Sequence, residues 1–307
     1  MNAKFYFLAA AASVMLAACS SDEKTTEQTT LRLTTKNVIA DTRSAAQDLQ
    51  LTQFANGENV GIFLVEDVNE TPTLTGSNVT SYTQPLSYTA DGAGNLANEQ
   101  FWPASGNGLF IYGIYPANAA TAYNATGVEF TVQADQSSDA NYMASDLMTG
   151  APAANPVARV STPVPLTFTH LLTKVDINLT AGTGFTAADL ATATVSILGL
   201  KPTTTFNVQS TAVSTPSGTA TDIIAGTGVT TSAIIVPGQS VAAGTNFIKV
   251  SCAGGDYIYK MGTATTFGAS SVYTYNLTVN KTGLTLSTAS ITAWQSIGAV
   301  TGTAELQ

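Results

Sequence analysis

Charge, histidine and cysteine are all scarce in this chain. Asp, Glu, Lys and Arg make up 10% of its 307 residues, against about 25% in an average soluble domain. Acidic residues outnumber basic ones by 20 to 11, a net charge of −9. That excess repels polyphosphate and argues against nucleic acid as a partner. The single histidine, His170, excludes a two-histidine metal site and leaves any Ser-His-Asp relay resting on one residue. His170 shares strand parity with Leu166 and Phe168, so it reads as a hydrogen-bonded core residue rather than a base. Asp135, Asp139 and Asp146 could hold a cation, but turn and cap roles suit them better. No Walker loop, dinucleotide fingerprint or Cys-x-x-Cys motif is present. No enzyme activity, metal or other cofactor is therefore expected.

The chain has two cysteines, Cys19 and Cys252. Lys4 precedes a short apolar run, Phe5 to Leu16, too short to span a bilayer and suited to an export signal. The run ends in Leu16-Ala17-Ala18-Cys19, which has the form of a bacterial lipobox. Residues 1–18 would then be removed and Cys19 acylated, which firmly anchors the chain to a membrane. An ordinary signal peptide with a chance cysteine is the alternative. The acidic Ser20-Ser21-Asp22-Glu23 that follows is similar to the surface-export signal of Bacteroidetes lipoproteins, which implies the outer-membrane surface. Lipidation of Cys19 leaves Cys252 without a partner, so no intramolecular disulfide is expected. Cys252 reads as a small buried residue.

No sustained helical period follows the signal, while Thr, Val, Ile and Tyr abound. Residues 166–180, LTFTHLLTKVDINLT, organise the rest. Leu166, Phe168 and His170 share one strand face, whereas Val175, Ile177 and Leu179 have the opposite parity. A bulge or short turn must intervene between them. Lys174, Asp176 and Asn178 are expected to face outward. Upstream, residues 19–30 read as a tether, and Leu31, Leu33 and Ile39 mark a first strand. Val60 to Glu66 forms a second, and a hairpin turns through Asp91-Gly92-Ala93-Gly94-Asn95. Strands are also expected near 110–114, 128–132, 193–198, 204–208, 232–236, 245–251, 256–261 and 271–279. A final segment runs from Ser287 to Gln307. Four prolines between Pro152 and Pro165 suggest a boundary. The expected division is an N-terminal β-sandwich over 31–160 and a C-terminal one over 161–307. Each is all-β and antiparallel, with about seven strands.

Several blocks together resemble the fimbrillin family, the type V pilins of Bacteroidales, and within it the fimbrillin-like or Mfa-like branch. They are Thr42-Arg43, F-x-x-G-E-x-V-G-I-F at 54–63, FWP at 101–103 and YPA at 115–117. YMASDLM at 142–148, FTHLLTKVDINL at 168–179, VYTYNLTV at 272–279 and I-x-x-W at 291–294 follow. Glu58 departs from the pattern, which usually has Asp there. The resemblance implies two transthyretin-like sandwiches and export to the surface as a lipoprotein. An arginine- or trypsin-like protease would cut after the first strand. The C-terminal strand of another subunit would then fill the groove left behind. Of the three arginines, Arg32 lies in the first strand and is expected to be shielded by its ladder, and Arg159 lies between the halves. Arg43-Ser44 is thus the expected cleavage site. Val300, Ala304 and Leu306 are the expected donor side chains, with Cys19 as the lipid anchor. Two roles fit the resemblance: a fimbrial subunit that polymerises with other subunits, or a tip adhesin or non-polymerising lipoprotein that binds glycan or host protein.

Overall fold

The computed structural model describes residues 29–35, 54–68, 84–252 and 255–294. The first elements are β1 (Thr30–Thr35), β2 (Asn59–Glu66), β3 (Leu86–Ala90), β4 (Asn95–Phe101), β5 (Leu109–Tyr115) and β6 (Val128–Thr131). A short helix α1 (Asp139–Ala144), β7 (Met148–Ala151) and β8 (Val164–His170) complete the upstream part. Downstream lie β9 (Thr173–Ala181), α2 (Ala187–Leu190), β10 (Thr194–Leu200), β11 (Thr203–Phe206), β12 (Thr221–Thr227) and β13 (Thr230–Ile235). They are followed by β14 (Ser240–Val241), β15 (Asn246–Cys252), β16 (Gly255–Lys260), β17 (Thr265–Thr266), β18 (Ser271–Asn280) and β19 (Gly283–Ala293). The fold is almost wholly β, as the residue pattern predicts.

Seven strands close a barrel in the order β1-β4-β3-β2-β5-β7-β8. Every pairing in it is antiparallel except β1 with β8, which is parallel. β2 reads as a nearly continuous apolar run because both its faces are covered. Val60, Ile62 and Leu64 point into the barrel, whereas Phe63 and Val65 join a second, larger core. The β3–β4 turn is set by Asp91. Its carboxylate accepts hydrogen bonds from the amides of Ala93 (2.7 Å) and Asn95 (2.9 Å) and from the Asn95 side chain (2.6 Å). Those donors hold the Asp91 carboxyl below its ordinary pKa, the Asn95 side chain most of all.

The larger core lies between two four-stranded sheets, β12-β10-β15-β16 and β13-β9-β18-β19. Val175, Ile177 and Leu179 of β9 point into it, and β9 runs parallel to β18. The expectation of wholly antiparallel sheets therefore needs two exceptions, both involving strands from the 166–180 stretch. That stretch is two strands in different sheets rather than one faulted strand. β8 ends the barrel at His170, Leu171 and Leu172 are fully buried, and β9 starts the next sheet. The parity change is a change of sheet, with consecutive leucines at the crossing.

Strand pairing also carries the barrel past the boundary expected at residue 160, because β8 is needed to close it. Upstream residues reach into the second half as well. β6 pairs with β11, and Ile224 of β12 exchanges backbone bonds of 2.8 Å with Ala134 and Gln136. Gln136 is fully buried and clasps β13, accepting from the Ile234 amide (2.7 Å) and donating to its carbonyl (2.8 Å). Lys174 is also a correction. It lies on the outer face as expected, yet it is 4% exposed, paired with Asp176 at 3.3 Å. Ser232 donates to that same carboxylate oxygen at 2.6 Å.

Candidate functional site

The alternation Leu31-Arg32-Leu33-Thr34-Thr35 makes β1 a half-buried strand. Leu31 and Leu33 are each 1% exposed and enter the barrel core, and Thr35 is buried beside them. β1 is the closing strand. Leu33 sits in register with Leu96 of β4 on one side and Val164 of β8 on the other. Without β1 the barrel becomes an open sheet with two facing, unpaired edges. Such edges are a template for strand addition. The two leucines contribute about 1.5–3 kcal/mol each by burial. The strand's ends are pinned as well. The Trp102 amide donates to the Thr29 carbonyl (3.0 Å) and the Thr35 amide to that of Gly94 (2.7 Å). Arg159 donates to the Thr29 hydroxyl from Nε at 3.1 Å and from Nη2 at 2.5 Å.

Arg32 departs from expectation. The β4 register jumps from Gln100 opposite Leu31 to Leu96 opposite Leu33, so β4 bulges where Arg32 stands. On the other side, pairing with β8 begins only at Leu33. Among the described residues, Arg32 thus has no ladder partner to shield it. Its side chain is exposed and donates to the Ser161 carbonyl at 2.6 Å. The bulge leaves a cavity of about 520 Å³ bordered by Arg32, Asn98 and Pro163. Ile39, Cys19, Arg43, Ser44, Val300, Ala304 and Leu306 lie outside the described residues, so Leu31 and Leu33 alone of the expected site residues are placed.

A second cluster, which the sequence did not flag as one unit, joins the end of β8 to the end of β19. His170 Nδ1 lies 2.8 Å from Asp146 Oδ1, and Asp146 is 1% exposed. The imidazole stacks on Trp294 with centroids 4.0 Å apart and planes 5° from parallel. The Trp294 amide donates to the Ser270 carbonyl at 2.7 Å. Ser270 directs its hydroxyl to the His170 backbone carbonyl, not to the ring. Serine, histidine and aspartate are therefore neighbours without forming a nucleophile relay. His170 is hydrogen-bonded as its parity predicts, but it is partly exposed rather than a core residue. Its contacts are structural: they fasten the last described residue, Trp294, to the base of the barrel.

The remaining polar groups have local roles. Asp135 accepts from the Ser137 amide (2.9 Å) and hydroxyl (2.6 Å), and Asp139 lies in the first turn of α1. Among the described residues, no group of three or more His, Cys, Asp or Glu is placed to hold a metal. Glu58 accepts from the Ala55 amide at 2.5 Å and from the Tyr115 hydroxyl at 3.2 Å. Burial, then the nearby Glu58 charge, pushes the Tyr115 phenol well above its ordinary pKa. Cys252 is half-buried rather than buried. Desolvation, with Asp189 and Asp256 nearby, raises its thiol pKa, which disfavours the reactive thiolate. A cleft of about 620 Å³ lies beside Lys201, Pro216, Gln239 and Asn246. It has no aromatic lining on which a sugar could stack, and Gln239 is already bonded to the Lys201 amide (2.7 Å) and carbonyl (3.0 Å).

A family model described as fimbrillin-like matches residues 42–294. A Bacteroides uniformis protein provisionally designated fimbrium subunit Fim1C is 34% identical over 131 residues. That match spans 40% of this chain and 43% of the relative, so less than half of the relative's length is aligned. Among solved structures, a candidate cell adhesion protein of Bacteroides uniformis superposes with a TM-score of 0.65 at 23% identity. The match covers 88% of this chain and 99% of that one. A candidate cell adhesion protein of Bacteroides ovatus has the same TM-score, 0.65, and the same coverages, 88% and 99%, at 18% identity. A fimbrial protein of Bacteroides vulgatus gives 0.51 at 13% identity, covering 86% and 99%. At these identities the structural likeness speaks for the fold.

Proposed function

The chain belongs to the fimbrillin-like family, and from that premise we propose that it is a structural subunit of surface fimbriae. In this reading it leaves the cell as a lipoprotein acylated at Cys19 and is cut by an arginine- or trypsin-like protease at Arg43-Ser44. It then joins other fimbrial subunits when a strand from a neighbour takes the place of β1. The observation that carries the reading is the position of β1. It closes the barrel between β4 and β8 and supplies two core leucines, while the rest of the barrel is continuous without it. Its chain continues from Thr35 toward Arg43, so a cut there would separate β1 from β2.

The test uses soluble protein lacking residues 1–19 and an arginine-specific protease. Cutting should yield a fragment that starts at Ser44 and, with time, denaturation-resistant ladders on a gel. Arg43→Ala should leave monomers, and ladders in that variant would refute the cleavage site. Deleting residues 300–307 asks whether this chain's own end is the donor. Fimbria-like filaments in electron micrographs of the cut protein would support assembly. Persistent monomers despite complete cutting would remove it.

A further inference from the structure

We infer that the free edge of β19 is a docking surface for a second copy of this chain, which adds antiparallel across a two-fold axis centred on Ile291. The inference stands apart from the strand-replacement reading and needs no cut at Arg43. The two large sheets end in β12, β16, β13 and β19. A bare edge is a template for another strand, and proteins blunt it with charge or cover it. β12 is covered where Ile224 bonds to Ala134 and Gln136. β13 is clasped at Ile234 by the Gln136 side chain. β16 carries exposed Asp256 and Lys260. β19 has none of these protections. Its 11 residues, GLTLSTASITA, include no charge and no proline. Among the described residues its ladder partner is β18 alone, and β16 of the facing sheet approaches it without a ladder bond.

The β18–β19 register fixes which groups this edge offers. Ser271 stands opposite Ala293, and the Trp294 amide donates to the Ser270 carbonyl at 2.7 Å. That bond makes the 271–293 pair the non-hydrogen-bonded kind. Up to the register shift beside Asn276, residues 288, 290 and 292 therefore turn their backbone groups to β18. Ala289, Ile291 and Ala293 turn theirs to the open side. Ile291 opposes Tyr273, which is 6% exposed, yet Ile291 itself is 40% exposed. Its apolar side chain thus meets water where a further strand would lie. Self-pairing suits this strand. A two-fold axis perpendicular to the sheet sets Ile291 opposite its own copy, and the two exchange both backbone bonds. Ala289 then meets residue 293, also alanine, and Ser290 meets Thr292 on the hydroxyl-bearing face. Apolar side chains pair on one face and hydroxyls on the other. The chain's net charge of −9 opposes association of its copies, but here no charged residue meets its counterpart. The four-stranded sheet would become one of eight strands.

The test is sedimentation velocity of uncut soluble protein lacking residues 1–19, across a concentration series. A monomer–dimer equilibrium is expected. Ile291→Lys sets two ammonium groups face to face and should weaken the dimer at least about tenfold. Its far-ultraviolet circular dichroism should stay that of the folded protein. In a Cys252→Ser background, Ile291→Cys should cross-link on mild oxidation, because the Cα atoms of such a pair lie about 5.5 Å apart. Thr288→Cys should not, because the same register holds its two copies about 20 Å apart. Monomers at every concentration would overturn the inference. So would equal cross-linking of the two cysteine variants, or an Ile291→Lys dimer as tight as the native one. Dimers that form only after residues 295–307 are deleted would assign the edge to that segment and overturn it too. Because the protein is never cut, each of these results is separate from the ladder test of strand replacement.

Discussion

Leu33→Ala should loosen the barrel far more than Arg32→Ala, its neighbour in the same strand. Leu33 is 1% exposed and sits between Leu96 and Val164. Truncation removes about 0.8 kcal/mol of burial per carbon. The residual cavity adds to this, and buried Leu→Ala changes span about 2–5 kcal/mol. A value near 3 kcal/mol is expected, because the flanking strands are fixed on both sides. Arg32 is exposed and, among the described residues, its side chain bonds to the Ser161 carbonyl. Its loss should cost about 0.5–1.5 kcal/mol. Since β1 alone closes the ring, the leucine change should favour the open barrel by roughly two orders of magnitude. Urea unfolding gives the stability difference, and amide exchange in β4 and β8 gives the opening. If the two variants agree within about 0.5 kcal/mol, the closing role assigned to β1 is wrong. Unchanged exchange in β8 for Leu33→Ala would be equally damaging.

Gly113→Ala should destabilise by about 1–3 kcal/mol or more, since a Cβ there would stand 2.3 Å from Phe168 Cζ. Phe168→Leu in that background should recover part of the loss in a thermal melt. Trp294→Ala should cost about 3–5 kcal/mol, whereas Trp294→Phe should cost clearly less, because Trp294 Nε1 has no hydrogen-bond partner among the described residues and the stack on His170 is retained. Denaturant midpoints of the two variants test this, and equal losses would refute a packing role. The folded pKa of Asp91 lies below its ordinary value of 3.8, so its stabilisation is complete above that pH and is lost as pH falls through the lowered value. The stability gap between the native protein and Asp91→Ala should be flat at neutral pH and close below about pH 4. A gap that closes at higher pH would point to another group.

Much of the strand content was legible because a strand's period is local. Val175, Ile177 and Leu179 declare an inward face, and Asp91 with two glycines declares the hairpin. β7 was not legible as a strand. Its Met-Thr-Gly-Ala run is short, and Gly150 is explained only by the Phe168 ring lying against it. β12 has a weak pattern, Ile223 and Ala225, and its place depends on β10. The two short helices lack a sustained period. The Thr186–Asp189 capping box marks α2 and could have been found. The site was half legible: Leu31 and Leu33 were recognised as a strand, but the bulge opposite Arg32 belongs to β4 and leaves no trace in β1. The hydrogen bonding of His170 was legible in its parity, but it is partly exposed rather than a core residue, and its stack on Trp294 joins residues far apart in the chain.

Composition and alternation settled that this is an all-β chain, and short sequence blocks carried the resemblance to its family. Both depend on neighbours in sequence, through backbone period and side-chain polarity. Only the tertiary structure decided that β1 closes a ring and runs parallel to β8, and that the 166–180 stretch passes from one sheet to another. Those are choices among strand partners, made by which edges and apolar faces meet in space, and no local pattern encodes them.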